Sequence, residues 1–182
     1  MILKPLKASD KTGCQVILRN AETDDAESLL NYLKITASET PYLIREPEEV
    51  TLSIEQERAF IQRIMDSDRE LLLIAAVDGK HAGNCSLMSL GDYKRYRHRC
   101  SIAIALYQEY CNRGIGKIML ETILDAAKKA GYEQAELEVI ADNKNAIALY
   151  EALGFEKYGL FPDNMKYENG NYADAYWMMK KL

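Results

Sequence analysis

Apolar residues along the chain follow two periods, and the changes between them outline a succession of elements. Val16-Ile17-Leu18-Arg19 is a short apolar run that suits a first strand. Thr23 can cap a following helix whose first turn is acidic at Asp24, Asp25 and Glu27. Ala26, Leu29, Leu30 and Leu33 then recur at helical spacing, and residues 36–52 are irregular, with Pro41 and Pro47. Ser53 and Gln56 have the spacing of a capping box, which predicts a second helix with Phe60, Ile61, Ile64 and Met65 on its apolar face.

The period changes at Leu71. Leu71 to Val77 is a continuous apolar run of strand length, Asp78-Gly79 is a hairpin turn, and His81 to Leu90 returns as the next strand. Arg99 to Leu106 makes a third, so residues 71–106 read as an antiparallel meander. From Arg113 to Ala130 the period is helical, with Gly131 suited to the left-handed position that ends it. Gln134 to Ile140 is a strand, and Ala146, Leu149, Tyr150 and Leu153 form a helical stripe closed by Gly154. Phe155 to Phe161 and Tyr172 to Met179 are closing strands with a turn near Asn169-Gly170-Asn171. The polar, aperiodic residues 1–14 read as a loose leader ahead of one domain over 15–182. The order β-α-α-β-β-β-α-β-α-β-β predicts a mixed α/β fold, with a mostly antiparallel sheet and helices on both faces.

Composition narrows the chemistry. The 182 residues are 48% hydrophobic and 28% charged, which suits a globular core. A net charge of −5 disfavours nonspecific binding to nucleic acid or to an anionic membrane. His81 and His98 are the only histidines, so a histidine-rich metal site or a histidine-based triad is not expected. Cys14, Cys85, Cys100 and Cys111 include no C-x-x-C pair and read as four reduced thiols. No window approaches the roughly 18 apolar residues of a membrane span, and Lys4 and Pro5 interrupt the first apolar run, so the cytoplasm is the expected compartment.

Chemistry concentrates in two segments. Leu106 to Lys117 joins a strand to a helix and carries Gly114-Ile115-Gly116. Paired glycines let the backbone turn sharply and come close to a ligand. The free amides of the helix start favour an anion such as a diphosphate, and Arg113 and Lys117 add full charges. Taken alone, the same residues also fit a tight packing turn. The segment lacks the G-x-x-x-x-G-K-[ST] of a P-loop, and it lacks the third glycine of a dinucleotide fingerprint.

The second segment runs from Leu137-Glu138-Val139 through Asn143, Ala146 and Leu149-Tyr150 to Gly154-Phe155. It resembles the L-x-V-x-x-x-N-x-x-A-x-x-L-Y-x-x-x-G-F signature of the GCN5-related N-acetyltransferase (GNAT) superfamily. Cys111 to Gly116 is similar to that family's Q/R-x-x-G-x-G/A acetyl-CoA motif, with Cys111 in the Q/R position and Asn112 in place of a frequent basic or glycine residue. The tail Gly170-x-Tyr172-x-Asp174-x-x-x-Met178 looks like the branch with polyamine, antibiotic and ribosomal-protein acetyltransferases.

The resemblance implies a GNAT fold whose sheet is splayed at an acetyl-CoA site. It further implies direct acetyl transfer in a ternary complex to a primary amine of a small molecule or peptide. Ile104 and Leu106 would pair with the pantetheine arm through their backbones, and the Leu106 amide would donate to the developing oxyanion. The amides from Asn112 through Arg113, Gly114, Ile115 and Gly116 to Lys117 would hold the pyrophosphate, with Cys111 beside them. Asn143 would touch the arm or fix the local backbone. Tyr150 would be the general acid for the departing thiolate, although periodicity alone makes it a core residue. Glu138 would be the base, with a structural glutamate or water-mediated proton loss as its competitors. No metal is implied. Oligomeric state is left open, although homodimers are common in that family.

Other charged groups have plainer readings. Lys94, Arg95, Arg97 and Arg99 suit a solvated turn, or contact with the 3′-phosphate or an acidic substrate. Glu39, Glu46, Glu48 and Glu49 suit a solvated acidic loop or a roof over a cationic acceptor. The loss of the Q/R residue keeps a noncatalytic acyl-CoA sensor as the alternative, and the glycine loop by itself would also serve a nucleotide-binding module.

Overall fold

The computed structural model describes all 182 residues. Eight strands form one sheet: β1 (Leu6–Ser9), β2 (Gln15–Asn20), β3 (Leu71–Val77), β4 (Lys80–Ser89), β5 (Arg99–Leu106), β6 (Gln134–Ile140), β7 (Glu156–Lys166) and β8 (Tyr172–Lys181). Their spatial order is β1-β2-β3-β4-β5-β6-β8-β7. Every pairing is antiparallel except β5 with β6. The helices are α1 (Ala26–Glu39), α2 (Ile54–Met65), α3 (Ile115–Lys129) and α4 (Lys144–Ala152). None is long and apolar enough to cross a membrane. All four cysteines are free.

Strand alternation divides the core into two layers. Leu71, Leu73, Ala75 and Val77 of β3 join Cys85, Leu87, Cys100, Ile102, Leu137 and Val139 in the larger cluster, which α3 covers with Ile115, Met119, Leu120 and Ile123. Leu72 and Ile74 point the other way and meet Leu29 of α1 and Ile61 and Ile64 of α2. A strand buried on both faces has no polar side to present, which accounts for the uninterrupted apolar run of β3.

Local signals act where the residues place them. The Ser53 side chain accepts from the Gln56 amide and the Gln56 side chain accepts from the Ser53 amide, closing the capping box of α2. Asp78 and Gly79 both have positive φ (47° and 81°), as a tight hairpin of this type requires. Gly131 has φ 82°.

Four expectations are corrected. Residues 6–9 of the expected loose leader are a strand, paired with β2 from Leu6↔Leu18 to Ser9↔Gln15. Too short to show a period, β1 is defined by its hairpin pairing with β2 across the turn that the Asp10 amide closes onto Cys14 O. At the first helix, a 3-10 turn (Thr23–Asp25) comes before α1, and Asp25 rather than Thr23 organises it: its carboxylate takes the Glu22 amide and both Arg19 guanidinium nitrogens. Next, α3 starts at Ile115 rather than Arg113, because Asn112 (φ 61°) and Gly114 (φ 86°) are left-handed and cannot continue a helix. Finally, β7 runs on to Lys166 past an irregularity that includes Asp163 (φ 53°).

Candidate active site

The parallel pair β5–β6 lasts three residues, Arg99↔Gln134, Cys100↔Ala135 and Ser101↔Glu136, and then opens. The direction of the backbone beyond it follows from the hydrogen bonds that flank it. The His98 carbonyl accepts from Gln134, toward β6, while Arg99 O accepts from Leu90 and the Tyr107 amide donates to Ala82, both toward β4. Successive residues of a strand alternate in this respect. Ile104 and Leu106 therefore turn their N–H and C=O groups into the open gap, where no strand meets them. On the far side, the Leu182 amide bonds Glu133 O and the Ala141 amide bonds Asp174 O, both toward β8. The Glu138 backbone consequently faces the same gap.

Gly83 lets β4 run close beside the end of β5 that borders this gap. A Cβ there would stand 2.6 Å from Ala105 O and 2.9 Å from Leu106 Cα. Only a glycine lets β4, next to its extra residue Ala82 opposite Ala75 and Ala76 of β3, pass so close to the end of β5.

The glycine loop abuts the gap. A Cβ on Gly116 would lie 3.4 Å from Leu106 and Leu149 and 3.7 Å from Ile104, so the first turn of α3 rests directly on the end of β5 and on α4. The amides of Asn112, Arg113, Gly114, Ile115, Gly116 and Lys117 have no acceptor in the protein. They form a run of donors at a positive helix end, which fits a diphosphate. The Cys111 amide is not part of the run, because it closes a turn onto Gln108 O. The Cys111 thiol is a weak donor to Tyr107 O, and burial followed by the nearness of Glu39 raises its pKa.

The charges differ from the sequence expectation. Arg113 is neutralised by Asp10, with its Nε donating to Oδ2 at 2.7 Å, and its guanidinium lies over the Tyr110 ring. Lys117 is exposed and loosely paired with Glu121 at 3.8 Å. Asp10 is the residue the sequence could not reveal. Its side chain is fully buried and also accepts from the Thr12 amide, the Thr12 hydroxyl and the Cys14 amide. Burial opposes its ionisation, but these donors and Arg113 outweigh burial and hold its pKa at about 2. The neighbouring Lys11 amide donates to Arg113 O.

Tyr150 lies on α4, in the core layer shared with Cys85, Ile102 and Val139. Burial, and then the nearness of Cys85, push its pKa up, so the phenol stays protonated. Its Oη has no hydrogen-bond partner in the protein, and no fully buried side-chain polar atom lacks one, so the hydroxyl tip reaches accessible space. Asn143 caps α4 through its Oδ1 and the Ala146 amide, and so fixes the local backbone. Glu138 is on the opposite face of the sheet from Leu137 and Val139 and is exposed. Its Oε1 accepts from Asn164 and its Oε2 from Trp177 Nε1.

The α1 side supplies further contacts that have no motif. Tyr32 donates to Ala105 O at 2.8 Å and packs with His81 and Tyr107. Glu39 accepts from the Gln108 amide at the entrance to the glycine loop. The 40–47 segment reaches the end of the sheet, where Tyr167 donates to Pro41 O. An open cleft of about 370 Å³ there is lined by Glu39, Glu46 and Tyr167. Arg99 is bound to Glu136 and stacked on Tyr96, which ties it to the sheet rather than to a phosphate.

Comparison with known proteins agrees with this architecture. The model of the acetyltransferase (GNAT) family matches residues 35–155. An N-alpha-acetyltransferase of Saccharolobus solfataricus is 31% identical over 184 residues, covering 97% of this chain and 99% of that protein. A GNAT-family acetyltransferase from Streptococcus pneumoniae superposes with a TM-score of 0.87 at 28% identity, covering 92% of this chain and 99% of the other. A phosphinothricin acetyltransferase from Sinorhizobium meliloti, solved in complex with acetyl-CoA, superposes with a TM-score of 0.80 at 22% identity, covering 92% and 88%. The open strand pair, the donor-rich start of α3 and these likenesses are one pattern: the chain belongs to the acetyltransferase (GNAT) family.

Proposed function

We propose that this protein is an acetyl-CoA-dependent N-acetyltransferase that acetylates a primary amine of a small molecule or peptide by direct attack in a ternary complex. One observation carries the reading: the run of free amides from Asn112 to Lys117 adjoins a gap into which Ile104 and Leu106 turn unpaired backbone groups. The residues present fit the group, since a diphosphate needs converging N–H donors and an extended amide-bearing arm needs a free strand edge. When bound, acetyl-CoA supplies the activated acetyl thioester.

The protein's own groups then divide the work. Ile104 and Leu106 bind and align an arm along β5. The Leu106 N–H is available to an acyl oxygen as negative charge grows on it. Tyr150 Oη, unbonded within the protein and on the same face of the sheet as the start of α3, is the group assigned to give its proton to the departing thiolate. Glu138 lies on the other face, so an amine entering there meets a carboxylate before it reaches the gap. Each carboxylate oxygen accepts one bond and retains a lone pair for the amine proton, directly or through water. Glu39 and Glu46 at the cleft favour a cationic acceptor.

The test is thiol release from acetyl-CoA across a panel of polyamines, amino acids, aminoglycosides and N-terminal peptides. Release with at least one amine is the expected result. Stabilisation by acetyl-CoA with no release from any amine would indicate a noncatalytic sensor instead.

A further inference from the structure

The loop that carries the free amides is not held by its own residues. Asp10 grips Arg113 by its side chain, and Lys11 grips the same residue by its backbone, with the Lys11 amide 2.9 Å from Arg113 O. This places the Lys11 side chain across Gly114. A Cβ on Gly114 would lie 3.4 Å from Lys11 Cγ and 3.5 Å from its Cε. The ammonium, one bond beyond Cε, is within about 5 Å of that point, beside Gly114, a member of the donor run. Lys11 is exposed and forms no ion pair. Arg113 is spent on Asp10, and Lys117 shares its charge with Glu121. Lys11 is thus the unpaired cation beside the amides, in a chain whose net charge is −5.

We propose that Lys11 binds a phosphate of the acyl-CoA co-substrate, with Asp10 as the positioning residue that holds it against the start of α3. The inference rests on the reading of that loop as the acyl-CoA site. It makes the strap of residues 10–12 part of the site, although the strap lies some hundred residues earlier in the chain.

The test is calorimetric titration with acetyl-CoA at several salt concentrations. Lys11→Met raises the Kd about tenfold at low salt, the magnitude of one charge-assisted contact to a phosphate. It also flattens the dependence of Kd on salt, because a screened attraction has been removed. Lys11→Arg restores the wild-type Kd to within about twofold. Lys7→Met, on the exposed side of β1, leaves both Kd and its salt dependence as in the wild type. Repeating the titration with 3′-dephospho-acetyl-CoA assigns the contact. A penalty that persists points to the pyrophosphate and one that vanishes to the 3′-phosphate, and either supports the proposal. Equal Kd and equal salt dependence for Lys11→Met and wild type would overturn it. A wild-type protein that binds no acetyl-CoA would instead remove the reading of the loop itself.

Discussion

Tyr150 shows how a residue's surroundings decide its chemistry. Its ring packs with Phe155 and the core, while its hydroxyl has no partner within the protein. Tyr150→Phe keeps the packing and removes only the proton donor. We expect kcat to fall by about 100-fold or more, in the range of general-acid contributions, with the Kd for acetyl-CoA within about twofold of wild type. Stopped-flow thiol detection and calorimetry check the two halves, and an unchanged kcat would remove the acid role. Asp10 is the counterpart at the glycine loop, through its pair with Arg113. Its folded pKa of about 2 lies below the ordinary carboxylate value of 3.8. A depressed carboxylate stabilises the fold above its unfolded pKa, and that contribution is lost as pH falls through the folded value. The stability advantage of wild type over Asp10→Asn should therefore hold at pH 5 and shrink between about pH 4 and 2. Unfolding midpoints across that range test it, and a constant gap would show that Asp10 is not held in this way. The sequence marked Tyr150 because a long motif surrounds it, and it left Asp10 silent because a lone aspartate in a polar stretch has no pattern.

At the scale of elements, the end of β5 that borders the gap lies too close to β4 for any residue but glycine at position 83. Gly83→Ala places a methyl group within 3 Å of the Ala105 and Leu106 backbone. The end of β5 must move, at a cost of about 1–3 kcal/mol for overpacking, and the Leu106 amide moves with it. We expect a lower unfolding midpoint together with a raised KM for acetyl-CoA. A stability loss without any change in KM would separate the packing from the site. Helix and hairpin boundaries set by local chemistry were legible, as the Ser53–Gln56 box and the Asp78-Gly79 turn demonstrate. Side-chain periodicity places the start of α3 two residues early, because it extends past a backbone break that only the left-handed Asn112 and Gly114 impose. Similarly, the four residues of β1 carry no period, and only their pairing with β2 makes them a strand.

For the whole molecule, the sheet separates two sets of candidate groups. Its α3–α4 face holds the larger core, the donor loop and Tyr150, whereas Glu138 emerges on the other face. On the proposed function, the acyl donor and the amine would meet through the strand opening from the two sides. Met119 is fully buried at the centre of the larger core. Met119→Ala should cost about 2–5 kcal/mol of stability, measured by denaturant unfolding. The stabilisation that acetyl-CoA adds at a fixed excess over Kd should be retained, since linkage depends on that ratio. A loss of that increment as well would mean that the core tunes the site directly.

The sequence by itself determined the periods, the caps and turns, the glycine loop and the motif from Leu137 to Phe155, because each is a local pattern in which neighbouring residues specify one another's backbone. It also determined the balance of charge. The tertiary structure alone decided where that charge is used: Arg113 is turned to Asp10, and Lys11 is left unpaired beside the free amides. It likewise decided that β5 and β6 part after three residues and that Tyr150 and Glu138 stand on opposite faces. These are meetings between segments far apart in the chain. They are fixed by packing and by the satisfaction of buried polar groups, neither of which has a signature in any single stretch of residues.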